Sequence, residues 1–502
     1  MRSSSSRHGA AWALAAALAE VSCGSDSLHA SAPSSGNAAS WRYEVALESG
    51  SRALSIDAWL PRGSLADLVV RHGAEAFLRD VQIEHDDGWE DVPRSGAGVH
   101  APQCSQGCHV RYRFRLAEAA TSLHDADMAI AWGDVVEASP SVWLLHPTLS
   151  PSGTRYRFHV RTPAGSSFAT GVFEAGEGRP GTYEAEASSI GVAPYAVFGP
   201  VRVRHVEAVE GATVDLAIAP AGYSVSDDAL VAWVARNANT MARFLGCFPL
   251  ERVMVLVVPA AGSEVRHGET MGDGGASIVV EVGEHAGASA LDRDWVLPHE
   301  LAHLAVPSVS RRYHWMEEGV AVYIQPIARA RAGELTAEEV WGQFARGMPI
   351  GAAAKGGAGL DGSSSWARTY WGGATFCLLA DLEIRRRTGN RLGFEDALRG
   401  LLMSGGSIAQ IWDFDRLLQT ADASVGASVL RPMHHEFGLE PWSVDMDRIF
   451  QDLGVMLDGD DVILVDDAPL AALRRAITQP HAPGVTAPVA CPWAAPGRMA
   501  QR

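Results

Sequence analysis

The chain has 502 residues, enough for two or three domains with full cores. Its 47% hydrophobic and 20% charged content excludes a disordered chain. With 41 Lys plus Arg against 59 Asp plus Glu, the net charge of −18 argues against a nucleic-acid or anionic-membrane partner.

Residues 1–32 read as an export signal. Arg2 and Arg7 give a positive start, and residues 10–19 are apolar but too short to span a bilayer. Val21-Ser22-Cys23-Gly24 resembles a bacterial lipoprotein processing site, with Glu20 where such sites carry Leu. Ala30-Ser31-Ala32 fits an ordinary A-x-A cleavage site instead. The expectation is a protein exported from a bacterial cell, periplasmic or secreted, with a lipid anchor at Cys23 as the alternative. No later segment is long and apolar enough to be transmembrane.

Residues 33–40 continue a Ser-, Ala- and Gly-rich tether. From 41 to 200 the signals are short alternating runs with frequent turn residues, as at 41–47, 108–114 and 155–161, which predicts an N-terminal all-β domain. Cys104 and Cys108 could close a small loop, or form half of a metal site that lacks its second pair. No chemistry is visible in this region. Ser226 caps a predicted helix running to about Leu245, and residues 252–258 form a buried strand. The Gly-rich stretch 272–275 leads into another strand at 276–282. Cys247 and Cys377 sit in apolar surroundings, and Cys491 lies in the tail.

The chemistry centres on His299-Glu300-Leu301-Ala302-His303. Residues four apart on an α-helix differ by only about 40° around the axis, so both imidazoles share one face and can ligate one ion. Glu300 sits beside that face, where a base for an attacking water belongs. Pro298 is tolerable only in a first turn, so the helix starts near Asp292 or Asp294, either of which could cap it. The bland alternative is a buried helix with two satisfied histidines. A second helix opens at Trp315-Met316-Glu317-Glu318-Gly319 and offers a carboxylate as third ligand. Glu317 and Glu318 lie about 100° apart, and helical patterning does not choose between them. Trp366 to Ala374, with Tyr370 and Trp371, leads into a further helix. Of the remaining histidines only His314 falls near the motif.

The pair His-Glu-x-x-His and Trp-x-x-Glu-Gly resembles the gluzincin zinc metallopeptidases, in particular the glycyl aminopeptidase and leukotriene-hydrolase-type aminopeptidase group and compact bacterial members of the same clan. The resemblance implies one zinc ion held by His299, His303 and Glu318, the Glu directly before Gly, with Glu300 as catalytic base. The Tyr-x-x-Gly pattern at Tyr370 is similar to that group's oxyanion-supporting tyrosine. The implied fold is α+β and multidomain: the β domain at 41–200, a thermolysin-like domain at 201–477 with a small mixed sheet and an α-helical lobe, and a Pro/Ala-rich tail at 478–502. In such enzymes the strand before the motif helix is an exposed edge that binds substrate backbone, a role that falls to residues 276–282. The aminopeptidase motif Gly-x-Met-Glu-Asn is replaced here by Asp273-Gly274-Gly275-Ala276; Glu269 and Asp273 are acidic but not placed by it, so endo- and aminopeptidase activity stay open. The expected function is a zinc-dependent peptidase acting on a peptide or protein. The alternatives are an exported non-catalytic binding or scaffold protein on the same fold, and a zinc hydrolase of a non-peptide substrate.

Overall fold

The computed structural model describes residues 40–96, 98–176, 179–209, 211–353, 359–480, 491 and 493. The expected export signal with Cys23, and most of the Pro/Ala-rich tail, lie outside the described residues. The structure is a mixed α+β one, as expected, with several sheets followed by a helical lobe.

The first strands alternate as half-buried strands must. Ser40–Leu47 and Leu54–Leu60 bury every second residue, and both belong to a seven-stranded sheet. Cys104 and Cys108 are joined by a disulfide that closes the turn before the strand Cys108–Phe114. A four-stranded sheet, in the order Ser167–Thr170, Ala196–Gly199, Val135–Ala138, Ala129–Trp132, completes the part that matters for the site.

The next sheet has five strands in the order Arg202–Val209, Ala212–Ile218, Arg252–Ala260, Ser277–Gly283, Val265–Met271. Its central strand Arg252–Ala260 is apolar on both faces. Val253, Val255 and Val257 enter the core shared with the helices. Met254, Leu256 and Val258 pack instead against Val135, Ala169, Tyr195 and Val197 of the preceding β region. The sheet is therefore clamped between helices on one side and the N-terminal strands on the other.

One expectation is corrected here. Ser277–Gly283 is not the edge strand: it pairs in parallel with Arg252–Ala260 and antiparallel with Val265–Met271. Its nearly unbroken apolar run fits an inner strand. The edge is Val265–Met271, whose polar residues show no apolar alternation and for which the sequence suggested no element.

Ser226 caps the helix Asp227–Leu245 by accepting from the Ala229 amide. The motif helices are Val296–His303 and His314–Arg331, and Tyr370 precedes the helix Gly373–Thr388. His314–Arg331 and Gly373–Thr388 cross at two glycines: a Cβ on Gly319 would stand 2.4 Å from the Gly373 carbonyl carbon. Gly319 thus serves a contact with the Tyr370 helix. Replacing Gly319 with Ala should destabilise the chain by about 1–3 kcal/mol, because backbone cannot yield as a side chain can. Thermal unfolding of the variant checks this; an unchanged midpoint would mean that the crossing is loose.

Candidate active site

Asp294 starts the first motif helix. Its carboxylate accepts from the amides of Val296 and Leu297 at 2.7 and 3.1 Å, and it also accepts from the Trp233 indole at 3.2 Å. Pro298 then falls in the first turn, where its missing amide costs nothing. The helix ends at His303, and the short link to His314 returns the chain as an antiparallel neighbour.

That return brings three side chains together. Glu318 Oε2 lies 3.2 Å from His299 Nε2 and 3.8 Å from His303 Nε2. The potential ligand atoms of the three residues all fall within 4.8 Å of one another. Among the described residues this is the one His/Cys/Asp/Glu group close enough to hold a metal ion. Burial pushes the His303 imidazole down to about 4. For Glu318, burial works against ionisation, but the facing histidines outweigh it and hold the carboxyl well below its ordinary range.

Glu317 points elsewhere. Its Oε1 accepts from the Val309 amide at 3.2 Å, and its Oε2 lies 3.0 Å from His314 Nδ1. The other nitrogen of His314 is 3.2 Å from Glu318 Oε1. Bonds to Glu317 and Glu318 push the His314 imidazole up to about 10, so it bridges the two carboxylates as a cation.

Glu300 is 6% exposed and faces the edge strand. The Thr270 hydroxyl donates to Glu300 Oε2 at 2.6 Å. Gly268 makes this approach possible, since a Cβ there would stand 2.5 Å from Glu300 Cγ. Burial, only partly countered by His299 and Thr270, pushes the Glu300 carboxyl up to about 7. Tyr370 lies in a widened π-type turn, Arg368–Gly372, a form that recurs at functional sites. Its ring stacks on His299 at 6.2 Å and on the exposed Trp366 at 5.2 Å. Burial and the neighbouring Glu318 raise the phenol, which therefore stays protonated.

These groups line one cleft of about 870 Å³. One wall is the edge strand Val265–Met271; the other carries Ser308, Tyr313, His314 and Phe414. Just past the edge strand the backbone is already occupied: the amides of Asp273 and Gly274 donate to the carbonyls of Ile408 and Ala409 at 2.9 and 3.0 Å.

Beside this end sit two acidic residues: Glu269, noted in the sequence but not placed there, and Glu137, which the sequence did not disclose. Glu269 projects from the edge strand toward Tyr195 and Asp127 of the N-terminal region, and burial together with Asp127 pushes its carboxyl up to about 7. Glu137 is 1% exposed, and its Oε1 has no hydrogen-bond partner among the described residues. Burial and the charge of Glu269 carry it well above the carboxylate range. The available signal was one charged residue inside the apolar run Val135-Val136-Glu137-Ala138, all four buried.

No protein-family model and no curated protein matches the sequence. Solved structures do match the fold. An aminopeptidase N family protein from Idiomarina loihiensis superposes with a TM-score of 0.60 at 12% identity, over 83% of this chain and 78% of that one. An M1 zinc metallopeptidase from Deinococcus radiodurans superposes with a TM-score of 0.50 at 14% identity, over 81% of this chain and 94% of that one. A variant of the latter, bound to a Tyr-Ser-Ala substrate, gives 0.51 at 15% identity, over 80% of this chain and 94% of that one. The chain has the fold of the gluzincin zinc metallopeptidases of the M1, aminopeptidase N type.

Proposed function

We propose that the chain is a zinc-dependent aminopeptidase. The observation that carries this reading is the convergence of His299, His303 and Glu318 beside Glu300 and Tyr370 in one cleft. The donor set fits zinc: two imidazoles and one carboxylate leave a position open, as a catalytic site requires. The burial that keeps His303 neutral also keeps it available as a ligand. Zinc held there supplies a Lewis acid that acidifies a water and polarises the substrate carbonyl.

The chain's own residues do the rest. The edge strand offers backbone groups to an extended peptide. Glu300, its Oε2 steadied by the Thr270 hydroxyl, takes a proton from the attacking water and delivers it to the leaving amine. The Tyr370 hydroxyl donates to the oxygen on which negative charge develops. Glu269 lines the cleft with the buried Glu137 nearby, and a substrate ammonium beside Glu269 favours its ionised form.

Three outcomes follow. Glu318→Ala should weaken zinc by more than the roughly 10–100-fold that loss of an outer partner costs, and Glu317→Ala by no more than that. Glu300→Gln should keep stoichiometric zinc and lose nearly all hydrolysis. Elemental analysis and zinc titration of the three variants decide this; wild-type protein without zinc after a zinc-replete preparation would end the reading.

Tyr370→Phe should lower turnover about 10²–10³-fold with little change in substrate affinity. Wild-type turnover in that variant would return Tyr370 to the aromatic stack alone.

Glu269→Gln should lower kcat/KM for peptides with a free amino terminus by about 10²-fold, within the range for losing one partner of a buried charge pair. The wild-type protein should leave the same peptides uncut once N-acetylated. Equal cleavage of both forms would make the enzyme an endopeptidase.

A further inference from the structure

The helix Asp227–Leu245 ends at Gly246, whose left-handed conformation (φ 84°) turns the chain toward Cys247 and Phe248. Cys247 is buried, and Cys491 lies close enough for the two thiols to shift each other's ionisation. The two sulfurs meet from distant parts of the chain.

The contact is held on both sides. The Phe248 backbone amide is near enough to the Cys491 sulfur to favour its thiolate. Two residues on, the Trp493 indole donates to the Phe248 carbonyl at 3.0 Å, across 245 positions of sequence. The Trp493 ring covers the turn at Gly211, where a Cβ would stand 3.4 Å from it. The Trp493 anchor on the Phe248 carbonyl holds the segment carrying Cys491 beside the residue that follows Cys247.

We propose that Cys247 and Cys491 form a disulfide that staples the C-terminal segment to the loop behind the five-stranded sheet. The oxidant is a small-molecule disulfide such as oxidised glutathione. Cys491, whose thiol is held below its ordinary range first by the neighbouring Cys247, supplies the thiolate that attacks the oxidant and expels one small thiol. Cys247 then gives up its proton and attacks Cys491 Sγ, expelling the second thiol. One protein S–S bond forms, the oxidant's S–S bond is lost, and the two electrons and two protons leave with the two small thiols. Cys377 takes no part, because it is wholly buried.

Peptide mapping without reduction tests this on the full chain, equilibrated in a glutathione redox buffer and then alkylated. The expected product is one cross-linked peptide pair containing Cys247 and Cys491, with loss of alkylation at both residues. With the chain fully reduced beforehand, closure of the Cys104–Cys108 bridge in the same sample shows that the oxidant acted. In Cys247→Ser, Cys491 should instead carry glutathione as a mixed disulfide. Alkylation of both Cys247 and Cys491, or glutathione on wild-type Cys491, in a sample whose Cys104–Cys108 bridge is closed would overturn the proposal.

Discussion

A single buried negative charge constrains the site. Glu318 is 6% exposed, and its two oxygens face three imidazoles. An unpartnered buried carboxylate costs several kcal/mol, so it holds its place only if the helices present those imidazoles to it. Two come from Val296–His303, which must therefore lie against His314–Arg331. The third, His314, stands one turn before Glu318 on the same helix. His314 also occupies Glu317, so the neighbouring carboxylate is directed away from the cluster. The same helix meets the Tyr370 helix at Gly319 and Gly373. Gly373 directly follows the turn that carries Tyr370, so the crossing that seats Glu318 also seats the phenol.

The second constraint is the two-faced sheet. Alternate residues of Arg252–Ala260 belong to different cores, one helical and one shared with the N-terminal strands. Packing on that second face brings Val135 and Tyr195 under the sheet, and Glu137 follows Val135 at a distance of two residues on the same strand. The acidic end of the cleft is thus a consequence of how the two regions pack. Without that contact Glu269 would be an ordinary carboxylate on an exposed edge.

The parts of this arrangement legible in the sequence are those written at short range. His299 and His303 are four apart, and helix geometry alone places them on one face. Asp294 followed by Pro298 marks the helix start for equally local reasons. Glu318 was harder: the residues around it and around Glu317 are similarly apolar, and only resemblance separated them. In the structure the difference lies in what each carboxylate touches, the imidazoles or the Val309 amide. The edge strand was missed because Val265–Met271 owes its conformation to pairing with Ser277–Gly283 and not to its own pattern. Glu137 was missed because its importance depends on a residue more than a hundred positions away.

The closed end of the cleft bears on where a peptide could be cut. An extended chain laid along Val265–Met271 needs free backbone groups on that edge. Beyond Met271 there are few: Gly272 abuts Ile408 so closely that a Cβ there would lie 2.3 Å from its carbonyl oxygen, and the next two amides are already bonded. Val192 of the N-terminal region also lines the cleft. A bound strand therefore loses its template within two residues of Glu269. Glu269 itself sits one position from Thr270, which holds the Glu300 carboxylate. The distance between the reacting bond and the end of the template is short on the scale of a residue's reach of about 3.3 Å. Under the proposed function, a peptide that ends there places its terminal ammonium at Glu269; one that continues must leave the edge and pass the segment around Ile408. The same backbone contacts that close the groove thus support the proposed choice of a terminus over an interior segment.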